Sequence, residues 1–462
     1  MQSKIQHILD QAYFIYRQEN SSTVEFCDLM LSSVSFVALC TATEALLPAS
    51  APLEILWPMS MLGGTFKDED LSKPFGFYND RPENDWYRVL LVDSEILRGV
   101  PFKFWQYVLP SWADLFKNLE VGERKWLLEK TFGKIELMLA EEQKDKQLYL
   151  TPKSITEVMA YYLSSENGNS LYDPFARSGD LLVNAGRKIP SINKMEGISP
   201  VKLAWKLSVL RLLFSEMACK VEFHDLEPQG FLASRFDLIV SNPPFGYRRP
   251  DANVSVDVPK DWADIAEKSS REEVVFLCHI LGRLTEKGRA AVLLPSIFLS
   301  RNMSTSPVIK RMVEKNLLDA VVSLPSGLFE HTGISIVLMA INKGREDGDR
   351  VLLADASSKF SRKGRKSILD PHVIIEWLDR LKGGKGETEE QFALVTSEEI
   401  AKNNFGLNAA YYQIHEEEIK KRRPSKTAME ECRRLEHEIG QVSLELTEFL
   451  AERKTGWHNG KD

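Results

Sequence analysis

The chain has 462 residues, a net charge of −7, 43% hydrophobic and 27% charged residues. That length suits about three domains of ordinary soluble protein, and the acidic balance excludes a bulk polycation, so nucleic-acid contact would need a local basic face or a basic partner. The five cysteines, Cys27, Cys40, Cys219, Cys278 and Cys432, form no CxxC pair, so no metal site or disulfide framework is expected, and a reducing cytoplasmic setting is.

Residues 1–145 read as an N-terminal helical domain. No basic segment followed by an apolar core opens the chain, so no signal peptide is expected. Ile5, Ile8, Leu9, Ala12 and Tyr16 keep helical spacing. Residues 29–43 are charge-free but too short and polar to cross a bilayer, so they read as a buried helix. A Pro/Gly-rich loop is expected over 48–82. Helices follow over 102–119, with a break at Pro110, and over 126–139. Trp57, Trp86, Trp105, Trp112 and Trp126 read as packing residues.

Residues 146–412 read as an α/β domain. Thr151-Pro152 opens a helix, with Thr as N-cap and Pro at the first position. Strands are expected at 170–173, 192–196, 220–224, 236–241, 289–295, 317–324 and 334–342. Helices are expected at 180–187, 200–216, 272–286 and 306–316. Such alternation predicts a Rossmann-like parallel sheet, covered on both faces, with ligands at the carboxyl ends of its strands. Asp173 and Asn242 fall at two such ends, on strands expected to be neighbours. From Lys343 onward the chain reads as a tail, with a basic run (Lys359, Arg362, Lys363, Arg365, Lys366) and another at 420–423. Residues 413–462 read as a C-terminal helical tail that serves as a docking segment. In it Cys432, Leu435, Ile439, Val442, Leu446 and Phe449 make a short heptad seam suited to docking on another subunit, on a second copy, or within the chain.

The densest chemistry lies in Asn242-Pro243-Pro244-Phe245-Gly246. The lone pair of a nucleobase amine is delocalised into its ring. The Asn242 side-chain carbonyl and the Pro243 main-chain carbonyl can accept its two hydrogens, and Pro244 stiffens the turn. Phe245 can stack on the base, which must first be swung out of the duplex. The pattern favours group transfer to nitrogen over hydrolysis. A strand-to-helix turn, Asp173-Pro174-Phe175-Ala176-Arg177-Ser178-Gly179-Asp180, is where such a sheet holds a small cofactor. Asp225 is placed to accept from an adenine amino group. Asp173 and Asp180 read equally as turn and cap residues, and Asp225 as a loop aspartate.

Together these segments resemble the methylation subunit of type I restriction-modification systems, among the γ-type N6-adenine DNA methyltransferases. Leu150-Thr151-Pro152 is similar to the family's Thr-Pro helix start, and Asp173-Pro174 to the start of its cofactor loop. The catalytic tetrapeptide Asn242 to Phe245 is intact. Leu324-Pro325-Ser326-Gly327-Leu328-Phe329 and Leu407-Asn408 with Tyr412 are similar to later family segments. The resemblance implies S-adenosylmethionine as cofactor, held by Thr151, Pro152, Asp173, Arg177, Ser178, Gly179, Glu196 and Asp225. It implies Asn242, Pro243, Pro244 and Phe245 as catalytic residues. It also implies double-stranded DNA as substrate, with a specificity subunit and a restriction subunit as partners, and no membrane. Two departures predict a weakened cofactor pocket: Arg177 stands at the loop's first glycine, and Gly197 stands where the family has the ribose-binding acid, with Glu196 one residue early. The alternative is a catalytically weakened, methyltransferase-like DNA-binding or assembly subunit of a restriction or defence complex. Arg248, Arg249 and the run from Lys359 to Lys366 are expected to face DNA.

Overall fold

The protein is described by a computed structural model covering residues 1–20, 22–41, 96, 99–117, 119–142, 151–164, 168–199, 201–215, 219–223, 234–245, 258–300, 306–329, 334–363, 366–385, 391–412, 434 and 441. It divides into a large unit, Met1–Ala409, and a small one, Ala410–Asp462. The heptad seam, Trp57, Trp86, Asp225, Gly246, Arg248, Arg249 and the basic run at 420–423 lie outside the described residues.

Four helices open the large unit: α1 (Gln2–Tyr16), α2 (Thr23–Thr41), α3 (Phe102–Phe116) and α4 (Val121–Glu142). The spaced apolar side chains of α1 are all buried. Helix α2 is buried all round, from Leu29 through Ser35, so it needs no charged face. Pro110 does not break α3, contrary to the sequence expectation. An internal proline costs about 3 kcal/mol. Phe104, Trp105, Val108 and Leu109 before it, and Trp112 and Phe116 after it, are all buried, and that burial outweighs the lost bond.

The next elements are α5 (Lys153–Leu163), β1 (Ser170–Asp173), α6 (Asp180–Lys188), β2 (Lys194–Ser199), α7 (Lys202–Phe214), β3 (Cys219–Phe223) and β4 (Phe236–Ser241). They are followed by α8 (Lys260–Lys268), α9 (Glu272–Arg283), β5 (Leu284–Pro295), α10 (Ser306–Glu314), β6 (Leu318–Ser323) and β7 (Ile336–Asn342). Beyond residue 343 come β8 (Val351–Asp355), β9 (Ser361–Lys363), β10 (Lys366–Ile368), α11 (Pro371–Lys382), β11 (Phe392–Val395) and α12 (Ser397–Lys402). Nine strands form one sheet in the order β11-β8-β6-β7-β5-β4-β1-β2-β3.

The sheet is mostly parallel, as expected, and departs from the sequence expectation in two details. The sheet is not wholly parallel, because β7 runs antiparallel to both β5 and β6, and β11 antiparallel to β8. The β6–β7 link carries no helix among its described residues, so nothing there supplies a parallel crossover. Nor does the sheet end at residue 343: β8 pairs parallel to β6, which makes the segment past Lys343 part of the core. Its apolar run, Val351 to Ala354, is as buried as the strands before it.

Helix α7 joins the two halves of the large unit. Its Leu203, Leu207, Leu210 and Phe214 belong to the same apolar core as α1 to α4, whereas Leu212 belongs to the core beneath the sheet. Two ion pairs cross the seam from α7 to the helical bundle, Lys206 with Asp28 and Arg211 with Glu136.

Candidate active site

The site begins with the pairing of β1 and β4. Asp237, at the amino end of β4, accepts from the Ser170 hydroxyl at 2.9 Å and returns its own N–H to that oxygen at 2.9 Å. This clasp fixes the register, with Leu171 opposite Leu238 and Tyr172 opposite Ile239. The two strands therefore release Asp173 and, just beyond its level, Asn242 at the same edge. Beneath them the Tyr172 ring stacks on Phe236, centroids 4.4 Å apart, and its hydroxyl meets His279 Nε2 at 3.2 Å.

Asn242 is 2% exposed. Its amide nitrogen donates to the Thr151 hydroxyl at 2.9 Å. This corrects the expected role of Thr151 as a helix cap. Helix α5 starts at Lys153, its N-cap is Pro152, and no side chain caps it. The Thr151 hydroxyl serves the asparagine instead. With the nitrogen committed to Thr151, the carbonyl oxygen is the amide's acceptor for anything that reaches it. Phe245 is also 2% exposed and packs in the core beneath the sheet.

On β1, Asp173 is wholly buried. One carboxylate oxygen accepts the Phe175 N–H at 2.9 Å; the other makes no hydrogen bond of good geometry, although the Ser241 hydroxyl is near enough to act on the carboxyl. Burial pushes this carboxyl up to about 7, against the pull of the Phe175 N–H, the Arg177 charge and the Ser241 hydroxyl. The loop then takes two left-handed residues, Arg177 at φ 45° and Gly179 at φ 73°. Arg177 thus adopts the backbone conformation for which glycine is suited, at a cost of order 1–3 kcal/mol.

Gly197 on β2 sits under this loop. A Cβ there would stand 2.7 Å from both the Ala176 Cβ and the Leu182 Cδ1. The missing side chain lets the loop close onto β2, where the Ala176 N–H reaches the Ile198 carbonyl at 2.8 Å. Glu196, one residue back, is buried; one oxygen pairs with Lys194 Nζ at 2.6 Å and the other has no hydrogen-bond partner. Pro152, Ser178 and Gly179 all lie at this edge, Pro152 next to Thr151 and the others in the loop. Asp225 lies outside the described residues.

Sequence reasoning missed Arg211 on α7. It is 5% exposed, and its guanidinium donates to the Ser178 carbonyl at 2.7 Å and to Glu136 at 2.8 Å. The available signal was a charge inside the apolar run 203–214, but its partner lies far back in the sequence. In the expected DNA-facing run, Lys359 stands over the Trp377 ring at 5.2 Å and Arg362 over Phe360 at 5.6 Å. Among the described residues no cluster of His, Cys, Asp and Glu is arranged to hold a metal, and no helix is long and apolar enough to cross a membrane.

Residues 131–421 match a family model described as N-6 DNA Methylase. The methylase subunit of the type I restriction enzyme MpnII from Mycoplasma pneumoniae is 29% identical over 58% of this chain and 53% of its own length. The chain therefore spans about half the length of that relative. Among solved structures, the type I methyltransferase subunit from Streptococcus thermophilus superposes with a TM-score of 0.71 at 18% identity, over 89% of this chain and 99% of the other. A chain from a type I restriction-modification system, solved to study complex assembly, gives 0.63 at 18% identity, over 97% and 98%. These superpositions show a shared fold, and the family match over residues 131–421 makes this chain a member of the N-6 DNA methylase family.

Proposed function

We propose that this chain is the methylating subunit of a type I-like system, transferring a methyl group to N6 of an adenine swung out of double-stranded DNA. A separate specificity subunit would choose the sequence, and a restriction subunit could share the assembly. The observation that carries this reading is the Thr151–Asn242 bond at the strand end beside Asp173. It turns an ambivalent amide into a fixed acceptor.

The strand ends fit S-adenosylmethionine. A buried carboxylate oxygen of Asp173 that lacks a well-formed hydrogen bond stands at the carboxyl end of β1, and one of Glu196 lies midway along the adjacent strand β2. A ligand bringing an ammonium and ribose hydroxyls offers the donors such acceptors need. Asp173, Arg177, Ser178 and Gly179 would line the loop side, and Glu196 with Asp225 the adenosine side. The bound cofactor would supply an electrophilic methyl group on a sulfonium.

The chain's own residues would do the rest. The Asn242 carbonyl accepts one hydrogen of the adenine amine and the Pro243 carbonyl accepts the other. This draws the nitrogen toward a pyramidal shape and localises its lone pair. Pro244 holds the second carbonyl still. Phe245, once uncovered, stacks on the extruded base, a contact worth about 1–3 kcal/mol. Strain at Arg177 is present in the ligand-free chain, so it is a cost of folding and leaves these roles unaltered.

The test is nucleoside mass spectrometry on DNA from a host lacking adenine methylation that expresses this chain with its specificity partner. N6-methyldeoxyadenosine is expected. DNA that carries only methylcytosine, or no modification while the assembly is intact, would overturn the reading.

A further inference from the structure

We propose that Arg211 is a positioning residue for the cofactor loop, and that its partner Glu136 makes cofactor binding depend on how the N-terminal helical bundle is seated. The inference rests on the functional reading above.

The loop between β1 and α6 cannot hold its shape by a regular ladder, because Arg177 and Gly179 both take positive φ. Its backbone groups need individual partners. The Gly179 N–H reaches the Ala176 carbonyl at 2.6 Å, and the Gly179 carbonyl accepts from Val183 at 3.0 Å. The Ser178 carbonyl, which belongs to the peptide leading into Gly179, is taken by Arg211. Fixing that carbonyl fixes the plane of the Ser178–Gly179 peptide, and with it the turn that opens α6.

A guanidinium is planar, and its donors leave in fixed directions. With one nitrogen on the Ser178 carbonyl, the other must find its acceptor along a set line. Glu136 stands on that line, and both side chains are buried. Glu136 comes from α4, part of the bundle, whereas Arg211 comes from α7, part of the sheet layer. A shift of α4 along α7 would draw Glu136 away and leave a buried guanidinium to reorient, taking the Ser178 carbonyl with it. The two side chains also line one cavity of about 380 Å³ together with Thr151 and Asp180. The bundle, the loop and the asparagine's anchor therefore meet in one place. By linkage, a partner that reseats the bundle changes cofactor affinity, and the cofactor changes affinity for that partner equally.

The seam contains its own control. Lys206, also on α7, pairs with Asp28 and donates to Ser32 at 2.5 Å, both on α2 of the bundle. Replacing a buried ion pair with apolar residues of similar size is often neutral for stability. Two double variants of the full chain are therefore compared by calorimetric titration with S-adenosylmethionine, with thermal stability measured alongside. Arg211→Met with Glu136→Leu is expected to weaken binding by about tenfold or more. Lys206→Met with Asp28→Leu is expected to stay within about twofold of the unaltered chain. Affinity retained by the first double overturns the proposal. Equal weakening by both doubles also overturns it, since that reports general loosening of the seam. Should the first double not fold, Glu136→Gln, which keeps an acceptor but removes the charge, is expected to weaken binding severalfold, and unchanged affinity sinks the idea. A folded, unaltered chain that binds no cofactor would overturn the functional reading, and the brace with it.

Discussion

Two turns leave the same edge of the sheet, and they are stiffened differently. The turn after β4 is held by two successive prolines of its own and by a single bond from Asn242 to Thr151 on the segment before α5. The turn after β1 has an arginine in a left-handed conformation and relies on distant groups: Gly197 beneath it, Arg211 behind it and Glu136 behind that. The contrast is between a side chain aimed by one partner and a stiff turn, and a loop braced from several sides. The first turn should therefore fail chemically when altered, and the second should fail in binding and stability.

The largest effect expected in the second turn is on pH dependence. Burial holds Asp173 at about 7 in the folded chain against an ordinary 3.8. Folding thus favours the protonated form. Its contribution is fully present below about pH 4 and is lost as pH rises through about 7, a span of about 4 kcal/mol at most. Denaturant titrations of the cofactor-free chain should show stability falling across that window. Asp173→Asn, which cannot ionise, should flatten the curve, and an unchanged slope would mean that the carboxyl is already charged in the folded state.

A smaller effect is expected from restoring the family acid. Gly197→Glu drives a side chain against Ala176 and Leu182, so it should cost about 1–3 kcal/mol of stability and open the loop. Cofactor binding should weaken. Tighter binding at undiminished stability would show that the packing beneath the loop yields more easily than its close contacts indicate.

The smallest effect separates the two turns through Thr151. Thr151→Val keeps the shape and removes the acceptor for Asn242. The rate of transfer should fall about tenfold with little change in cofactor KM, and Thr151→Ser should restore most of it. A raised KM at an unchanged rate would assign Thr151 to the cofactor, as the family resemblance first implied.

Much of this site was legible in the sequence because its signals are short-range. The run Leu238-Ile239-Val240 marks a doubly covered strand, and the prolines after it mark a rigid turn. The pairing of β1 with β4 follows from the usual winding of such sheets. Other features rest on contacts that sequence spacing does not encode. Pro110 stays helical because aromatic burial on both sides exceeds the cost of one lost bond. The direction of β7 depends on its link to β6, and the short run Val351 to Ala354 looks like tail until β6 supplies its partner. Thr151 resembles a cap by type and place, but the buried Asn242 amide competes for its hydroxyl. The Arg211–Glu136 pair spans two layers, and no local pattern announces it.

The central claim is that transfer depends on the amide of Asn242 while cofactor binding depends on the neighbouring turn. The most direct measurement sets Asn242→Ala beside the unaltered protein, following methyl transfer by the assembled enzyme and S-adenosylmethionine affinity by calorimetry. Transfer should fall by about a hundredfold to a thousandfold or more, with affinity within about twofold. Full methylation by Asn242→Ala, or an affinity that collapses in step with transfer, would contradict the account.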